Sequence, residues 1–507
     1  MFNSIRNSIR FLCCTNIIVA NIGIAILYNM GTNIFLGEIS YITKAISAVL
    51  QLGVTMDFAI FLYHSYQAEL KNTTDRNQAM SIAISKTFTS VLGSSLTTIA
   101  GFLALCSMNL TLGKDIGIVM AKGVLFGVIS VVTILPSLIL MFDKAIQKTK
   151  HKELLPKFTT ISEFNIKHYK AIIVIFLIAL PIALYGYNNT KVYYKLDSSL
   201  PETLDSISAN NTLKNKFGLV SQEMILINKD TPNDEINEML DKIEELDGVD
   251  FTLSYSKLSE LGIPEEMLPE DLLSIFQTDK YQMILINSKY EIATDELNNQ
   301  IAKINEIVKQ YDSNAKVVGE GPLMKDLVEI SDHDFNSVNT VSIGIIFVIM
   351  MFVLKSISLP VLLVIAIEFA IFINMGIPYY TNTTIPFIAS IVIVIGTIQL
   401  GATIDYAILI TTKYIQNRKD GKDKKQAVSE ALGTSINSII VSGLCFFGAT
   451  FGVGAYSKIE MIGSLCTLMS RGAIISVIVV ITVLPAFLMI FDKLVCKTTI
   501  GMREVKN

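Results

Sequence analysis

The chain has 507 residues, 51% of them hydrophobic, with a mean hydropathy of +0.51 and a formal net charge of −4. An ordinary soluble core is excluded, because the apolar residues fall in blocks of about 18 to 25, the length that crosses a hydrocarbon layer. There is no basic excess of the kind that binds nucleic acid, and the six cysteines (Cys13, Cys14, Cys106, Cys445, Cys466, Cys496) show neither metal-ligand spacing nor a disulfide framework.

The first apolar run, 11–29, follows Arg6 and Arg10 and has the outline of a secretory signal. No small-residue cleavage site follows it and further spans do, so it reads as a retained helix. Runs at 39–64, 86–107 and 116–142 complete a first bundle within residues 1–150. A basic linker, 151–169, leads to a single span at 170–187 and then to a polar segment, 188–337. Five more spans, at 338–354, 359–377, 386–412, 433–455 and 460–491, form a second bundle within 338–493, and a tail, 494–507, closes the chain. The fold class is a polytopic α-helical membrane protein of about ten transmembrane helices.

Lys and Arg in short connections are retained on the cytoplasmic side. Lys71 and Arg76 follow the second span, Lys144, Lys148, Lys150, Lys152, Lys157 and Lys167 the fourth, and Arg418, Lys419, Lys422, Lys424 and Lys425 the eighth. Lys493, Lys497, Arg503 and Lys506 place the C-terminus on the same side, whereas loops 30–38 and 378–385 carry no Lys or Arg. The polar segment then faces outward in a cell membrane. Within it, β-rich runs at 224–228 and 282–287 each precede an amphipathic helix, 233–247 and 294–311, and a second β-rich run, 250–255 and 316–319. Two such units predict one extracytoplasmic α+β domain of ferredoxin-like type.

An internal repeat organises the rest. Gln51-Leu-Gly-Val-Thr-Met-Asp57-Phe-Ala-Ile60 matches Gln399-Leu-Gly-Ala-Thr-Ile-Asp405-Tyr-Ala-Ile408, and Thr133 to Lys144 matches Thr482 to Lys493, each pair at nearly the same offset. An even number of crossings separates the matched spans, so the halves form a parallel repeat about an axis along the membrane normal. An ionised carboxylate in lipid costs about 2.5 to 3.5 kcal/mol on insertion scales, so Asp57 and Asp405 are expected to face protein or water. Each adjoins a glycine, Gly53 or Gly401, that permits close helix approach. Two such groups facing one another can take up and release protons, or can stay protonated and only hydrogen-bond between helices.

Gly53-x-x-x-Asp57-Phe58 and Gly401-x-x-x-Asp405-Tyr406 resemble the Gly-x-x-x-Asp-Tyr helices of MMPL-type transporters, of the resistance-nodulation-cell division (RND) superfamily. The resemblance takes in nearly the whole chain, including Leu-Pro at Pro136 and Pro485, read as helix ends, and the α+β domain. It implies export of lipids or other hydrophobic or amphiphilic molecules, driven by the proton gradient and needing no cofactor. Asp57 and Asp405 then carry the protons, with Tyr406 the hydrogen-bond partner of Asp57. Phe58 stands where the second Tyr is expected and has no hydroxyl to give Asp405. The family's first span, first outer domain and second span have no counterpart here. A homo-oligomer or a polypeptide supplying that N-terminal part is an implied partner.

Secondary candidates follow from position. Lys122 and Arg471 stand 14 residues before Pro136 and Pro485 and are repeat equivalents, suited to carboxylates or lipid headgroups, or to snorkelling at the interface. Glu368 lies near the middle of the seventh span as a further candidate for the relay, although its first-half counterpart is not acidic. Ser94, Ser95, Ser438 and Ser442 flank the motif helices as relay hydrogen-bonders or as ordinary packing residues. His64 reads as interfacial. No nucleophile, metal or nucleotide motif suggests an enzyme. The alternative to export is a non-transporting lipid sensor, an accessory protein or a truncated remnant, because a fold does not fix a function.

Overall fold

The computed structural model of the chain describes residues 2–148, 159–190, 192–193, 203–260, 274–386 and 392–502. It divides into two compact units, residues 1–192 with 334–507, and residues 193–333. The chain first forms α1 (Phe2–Gly31), α2 (Tyr41–Glu69), α3 (Arg76–Ala104), α4 (Thr111–Lys148) and α5 (Thr159–Asn188). There follow α6 (Asp205–Phe217), β1 (Ser221–Asn228), α7 (Asn233–Glu244), β2 (Val249–Leu253), α8 (Tyr255–Glu260), β3 (Tyr281–Ser288), α9 (Asp295–Tyr311) and β4 (Lys316–Gly319). The division between the units falls within α10 (Glu320–Leu354), and α11 (Ser358–Tyr380), α12 (Val392–Lys419), α13 (Lys424–Tyr456) and α14 (Glu460–Thr498) complete the chain.

The ten spans read from the sequence fall in α1–α5 and α10–α14 except at a few ends: 39–40 precede α2, 105–107 form a 3-10 turn after α3, 386 lies in a short strand, and 387–391 lie outside the described residues. Among the described residues, eight of these helices are long and apolar enough to cross a membrane, and α3 makes a ninth if its two bent halves count as one span. Over its described residues α12 falls short of that test, interrupted by Gln399, Thr403 and Asp405. Helices also outrun the apolar runs. α5 begins inside the stretch read as a linker, and α10 begins inside the polar segment, because helical hydrogen bonding continues past the apolar part until a breaker or cap stops it. Lys150, Lys152, Lys157, Arg503 and Lys506 lie outside the described residues.

Side-chain caps fix several starts: Ser40 accepts from the Ile42 N–H, Asp75 from Asn77 and Asp423 from Gln426. Pro136 and Pro485 do not end their helices; they lie inside α4 and α14. Proline removes one amide donor, and in a membrane helix a neighbour must serve the freed carbonyl. Four residues before Pro485 the Ile481 carbonyl accepts instead from Asn165 Nδ2 of α5, at 2.9 Å.

In the first half α1, α2 and α3 all pack on α4; in the second α11, α12 and α13 all pack on α14. The halves meet where α2 packs on α13 and, reciprocally, α12 packs on α3. Asp334 of α10 accepts from Asn109 N and Nδ2 and from Leu110 N, just before α4.

Residues 193–333 carry a four-stranded antiparallel sheet in the order β2-β3-β1-β4. With α7 and α9 as crossovers, this is the ferredoxin-like βαββαβ arrangement. Alternation in β1 and β3 sends Ile225, Ile227, Ile284 and Ile286 to one face, against Ile236, Met239, Leu240 and Ile243 of α7 and Ile304 and Val308 of α9. The short helices α6 and α8 carry no strong apolar stripe and were not apparent from pattern. Glu223 shares the covered face with no exposure; Ser221 Oγ donates to its Oε1 at 2.8 Å, and its Oε2 has no hydrogen-bond partner among the described residues. Burial pushes this carboxyl up to about 7, the Ser221 hydroxyl pulling the other way.

Candidate functional site

Asp57 on α2 and Asp405 on α12 are both 4% exposed and interact electrostatically across the seam between the halves. Asp57 lies beside the Ser442 hydroxyl of α13, and Asp405 beside the Ser94 hydroxyl of α3, an arrangement that follows from the reciprocal packing of the repeat. Tyr406, also buried, faces Ser442 and both carboxyls. One oxygen of each aspartate, and the Ser442 hydroxyl, lacks a partner within hydrogen-bonding geometry among the described residues. A buried polar atom left in that condition is costly, so the arrangement invites a proton, a water or a shift of a neighbour.

The surroundings of the two carboxyls differ. A Cβ added to Gly53 would lie 2.7 Å from Phe446 Cδ2, so the glycine lets that ring close over α2. At Gly401 a Cβ would meet nothing nearer than 3.8 Å, and Thr98 Oγ1 donates to the Gly401 carbonyl at 2.9 Å. A cavity of about 460 Å³ opens between α2, α3, α12 and α13, toward the basic α2–α3 and α12–α13 connections. Phe58, Ser94, Ser438, Lys86, Lys413 and Asp405 are on its wall. Lys86 pairs with Glu69 at 2.7 Å, and Lys413 donates to the Thr434 carbonyl at 3.0 Å.

Of the secondary candidates, Ser94 and Ser442 sit at the carboxyls and Ser438 on the cavity wall, whereas Ser95 donates to the Leu92 carbonyl of its own helix at 3.1 Å. Glu368 faces Tyr187 of α5, in the contact between α5 and α11. Lys122 and Arg471 turn to neighbouring backbone and amides. Lys122 Nζ donates to Asn33 Oδ1 (2.6 Å) and the Asn29 carbonyl (3.1 Å), and Arg471 to Asn374 Oδ1 (2.8 Å) and the Asn374 carbonyl (2.6 Å). His64 lines the cavity.

Two further networks went unread. At one end of each half an asparagine donates to the motif glutamine, Asn29 to Gln51 at 2.8 Å and Asn374 to Gln399 at 2.9 Å, and each glutamine reaches a carbonyl of a neighbouring helix, Gly123 of α4 or Gly472 of α14. At the other end Tyr66 donates to Asp143, which pairs with Arg76 at 2.9 Å, and Tyr414 donates to Asp492, which meets Arg418 with Nη2 at 3.2 Å. The signal was present: Tyr66 and Tyr414, like Asp143 and Asp492, occupy matching repeat positions.

Helices of membrane-spanning length, doubled about a pair of buried carboxyls and accompanied by a ferredoxin-like domain, define a multi-pass membrane protein with a duplicated core. The model of the MMPL family matches residues 9–161 and 271–500, and the chain belongs to that family. It is 22% identical to the membrane protein ActII-3 of Streptomyces coelicolor over 480 residues, covering 91% of this chain and 63% of that one. It is 24% identical to the membrane protein YdgH of Bacillus subtilis over 333 residues, covering 62% of this chain and 35% of that protein. Against the mycolic acid-containing lipids exporter MmpL11 of Mycolicibacterium smegmatis it is 24% identical over 188 residues, covering 36% of this chain and 19% of that protein. The chain thus spans about three fifths of ActII-3 and about a third of YdgH.

Proposed function

We propose that this chain is the membrane core of a proton-driven exporter of lipids or other amphiphilic molecules. The observation that carries the reading is the pair of carboxyls buried on repeat-related helices, near enough to interact electrostatically, each with an oxygen unsatisfied among the described residues. Charged groups at such depth are expensive and mark ion or proton pathways. In this reading the basic connections face the cytoplasm and residues 193–333 face outward. Asp57 and Asp405 take turns holding a proton, Tyr406 and Ser442 relay beside Asp57, and Ser94 serves Asp405. Family membership and the lipid exporter among the relatives support an amphiphilic substrate.

The test is reconstitution of the full chain in vesicles with an imposed pH gradient and a fluorescent lipid as probe. Asp57→Asn and Asp405→Asn should each abolish gradient-dependent movement of the probe. Movement undiminished in both variants would overturn the reading. A second reading, a lipid-binding protein that moves nothing, is favoured by Phe58, which leaves Asp405 without a tyrosine partner; probe binding without movement in the unsubstituted chain would select it.

A further inference from the structure

The repeat is broken at its centre, and the break lies in side chains. Asp405 and Ser94 are on the wall of the cavity, whereas Asp57 is not among its lining residues. On the Asp57 side Phe446 closes over Gly53; the repeat position of Phe446 holds Thr98, whose short side chain ties back to Gly401 instead. Tyr406 is packed among Asp57, Asp405 and Ser442, while its repeat counterpart Phe58 forms part of the cavity wall. The titratable groups that face the pair from neighbouring elements are Tyr406 and Cys445 beside Asp57, and His64, Lys86 and Lys413 around the cavity below Asp405. A carboxyl in a low-dielectric interior exchanges protons with bulk water only along a hydrogen-bonded path; the cavity is roomy, and on its largely apolar wall Ser94, Ser438, Thr412, Lys86 and Lys413 offer polar partners to the waters of such a path.

We propose that the pair has one door: Asp405 exchanges protons with the compartment on the side of the basic connections, through this cavity, and Asp57 reaches that compartment only by way of Asp405. The inference rests on the proton-coupled reading of the pair and adds to it a direction and an order. Protons arriving at Asp57 cross the seam, past Tyr406 and Ser442, before they leave. The two aspartates, equal in the repeat, are unequal in use.

The full chain in right-side-out and inverted membrane vesicles is exposed to a membrane-impermeant carbodiimide with a charged amine, and carboxyl modification is located by peptide mass spectrometry. Asp405 should be modified from the face of the basic connections alone, with Asp57 at background; in Asp405→Asn, Asp57 should stay at background. Ser438→Phe, which puts a ring into the cavity, should abolish modification of Asp405 while the protein keeps its elution profile in detergent. Modification of Asp57 to the extent of Asp405, no modification of Asp405 from that face, equal modification from both faces, or full modification in Ser438→Phe would each overturn the proposal. Probe movement measured on the same vesicles separates the two claims. Symmetric modification with proton-driven movement intact removes the single door alone, and one-sided modification without such movement removes the transport reading alone.

Discussion

Gly53 and Gly401 occupy the same place in the repeat, yet a methyl group would be received differently at each. At Gly53 it meets the Phe446 ring at 2.7 Å, and at Gly401 the Thr98 backbone at 3.8 Å. Overpacking of this kind costs about 1–3 kcal/mol, whereas alanine for glycine inside a helix otherwise gains about 0.5–1 kcal/mol. Gly53→Ala should therefore lower the melting temperature in detergent and Gly401→Ala should leave it unchanged or raise it. The sequence shows both glycines and both aspartates plainly, because a carboxylate inside an apolar run stands out and the repeat confirms it. It does not show which glycine is crowded, since that depends on residues 446 and 98, brought in by packing. Lys122 and Arg471 were legible as equivalents, but their partners, Asn29, Asn33 and Asn374, belong to helices whose register only the fold sets.

The helices were readable at the scale of elements, but their ends were not. Hydropathy marks the stretch that lies in lipid, so α5 and α10 start earlier than their apolar runs, and prolines read as stops sit inside α4 and α14. Asn165 shows how α14 tolerates its proline, and replacing Asn165 with Leu should destabilise the contact of α5 with α14 by about 1–3 kcal/mol, the cost of an orphaned buried carbonyl. The tyrosine–aspartate–arginine groups permit a sharper comparison. Arg418 and Asp492 are 3% and 5% exposed, whereas Arg76 is 46% exposed beside a buried Asp143. Arg418→Gln strands a buried charge and should cost about 3–5 kcal/mol. Arg76→Gln also removes the cation paired with the buried Asp143, but water reaches the exposed guanidinium site, so the cost should be smaller, about 1–3 kcal/mol. Thermal unfolding of the two variants side by side checks the difference.

For the whole molecule, class and topology followed from the sequence: the apolar blocks gave the membrane helices, and two β-α-β patterns gave the small domain with its ferredoxin-like sheet. The stability of that domain depends on pH through Glu223, whose carboxyl is raised from about 4.5 to about 7 by burial. In the folded chain the group binds a proton that the unfolded chain has already released above pH 4.5. Its contribution is complete below that value and is lost as pH rises toward 7, by up to about 3 kcal/mol. Stability should fall across that window, and Glu223→Gln should flatten the fall and melt higher than the unsubstituted chain at pH 8.

Each half is fastened at one face by its asparagine–glutamine pair and at the other by its tyrosine–aspartate pair, like a plank bolted at both ends. Thr98 on Gly401, and Asp334 at the start of α4, join plank to plank. Bending within a half must break those bolts, whereas a small slide of one half along the other must release the Thr98 and Asp334 hydrogen bonds and would change which atoms of the aspartates, serines and Phe446 face one another.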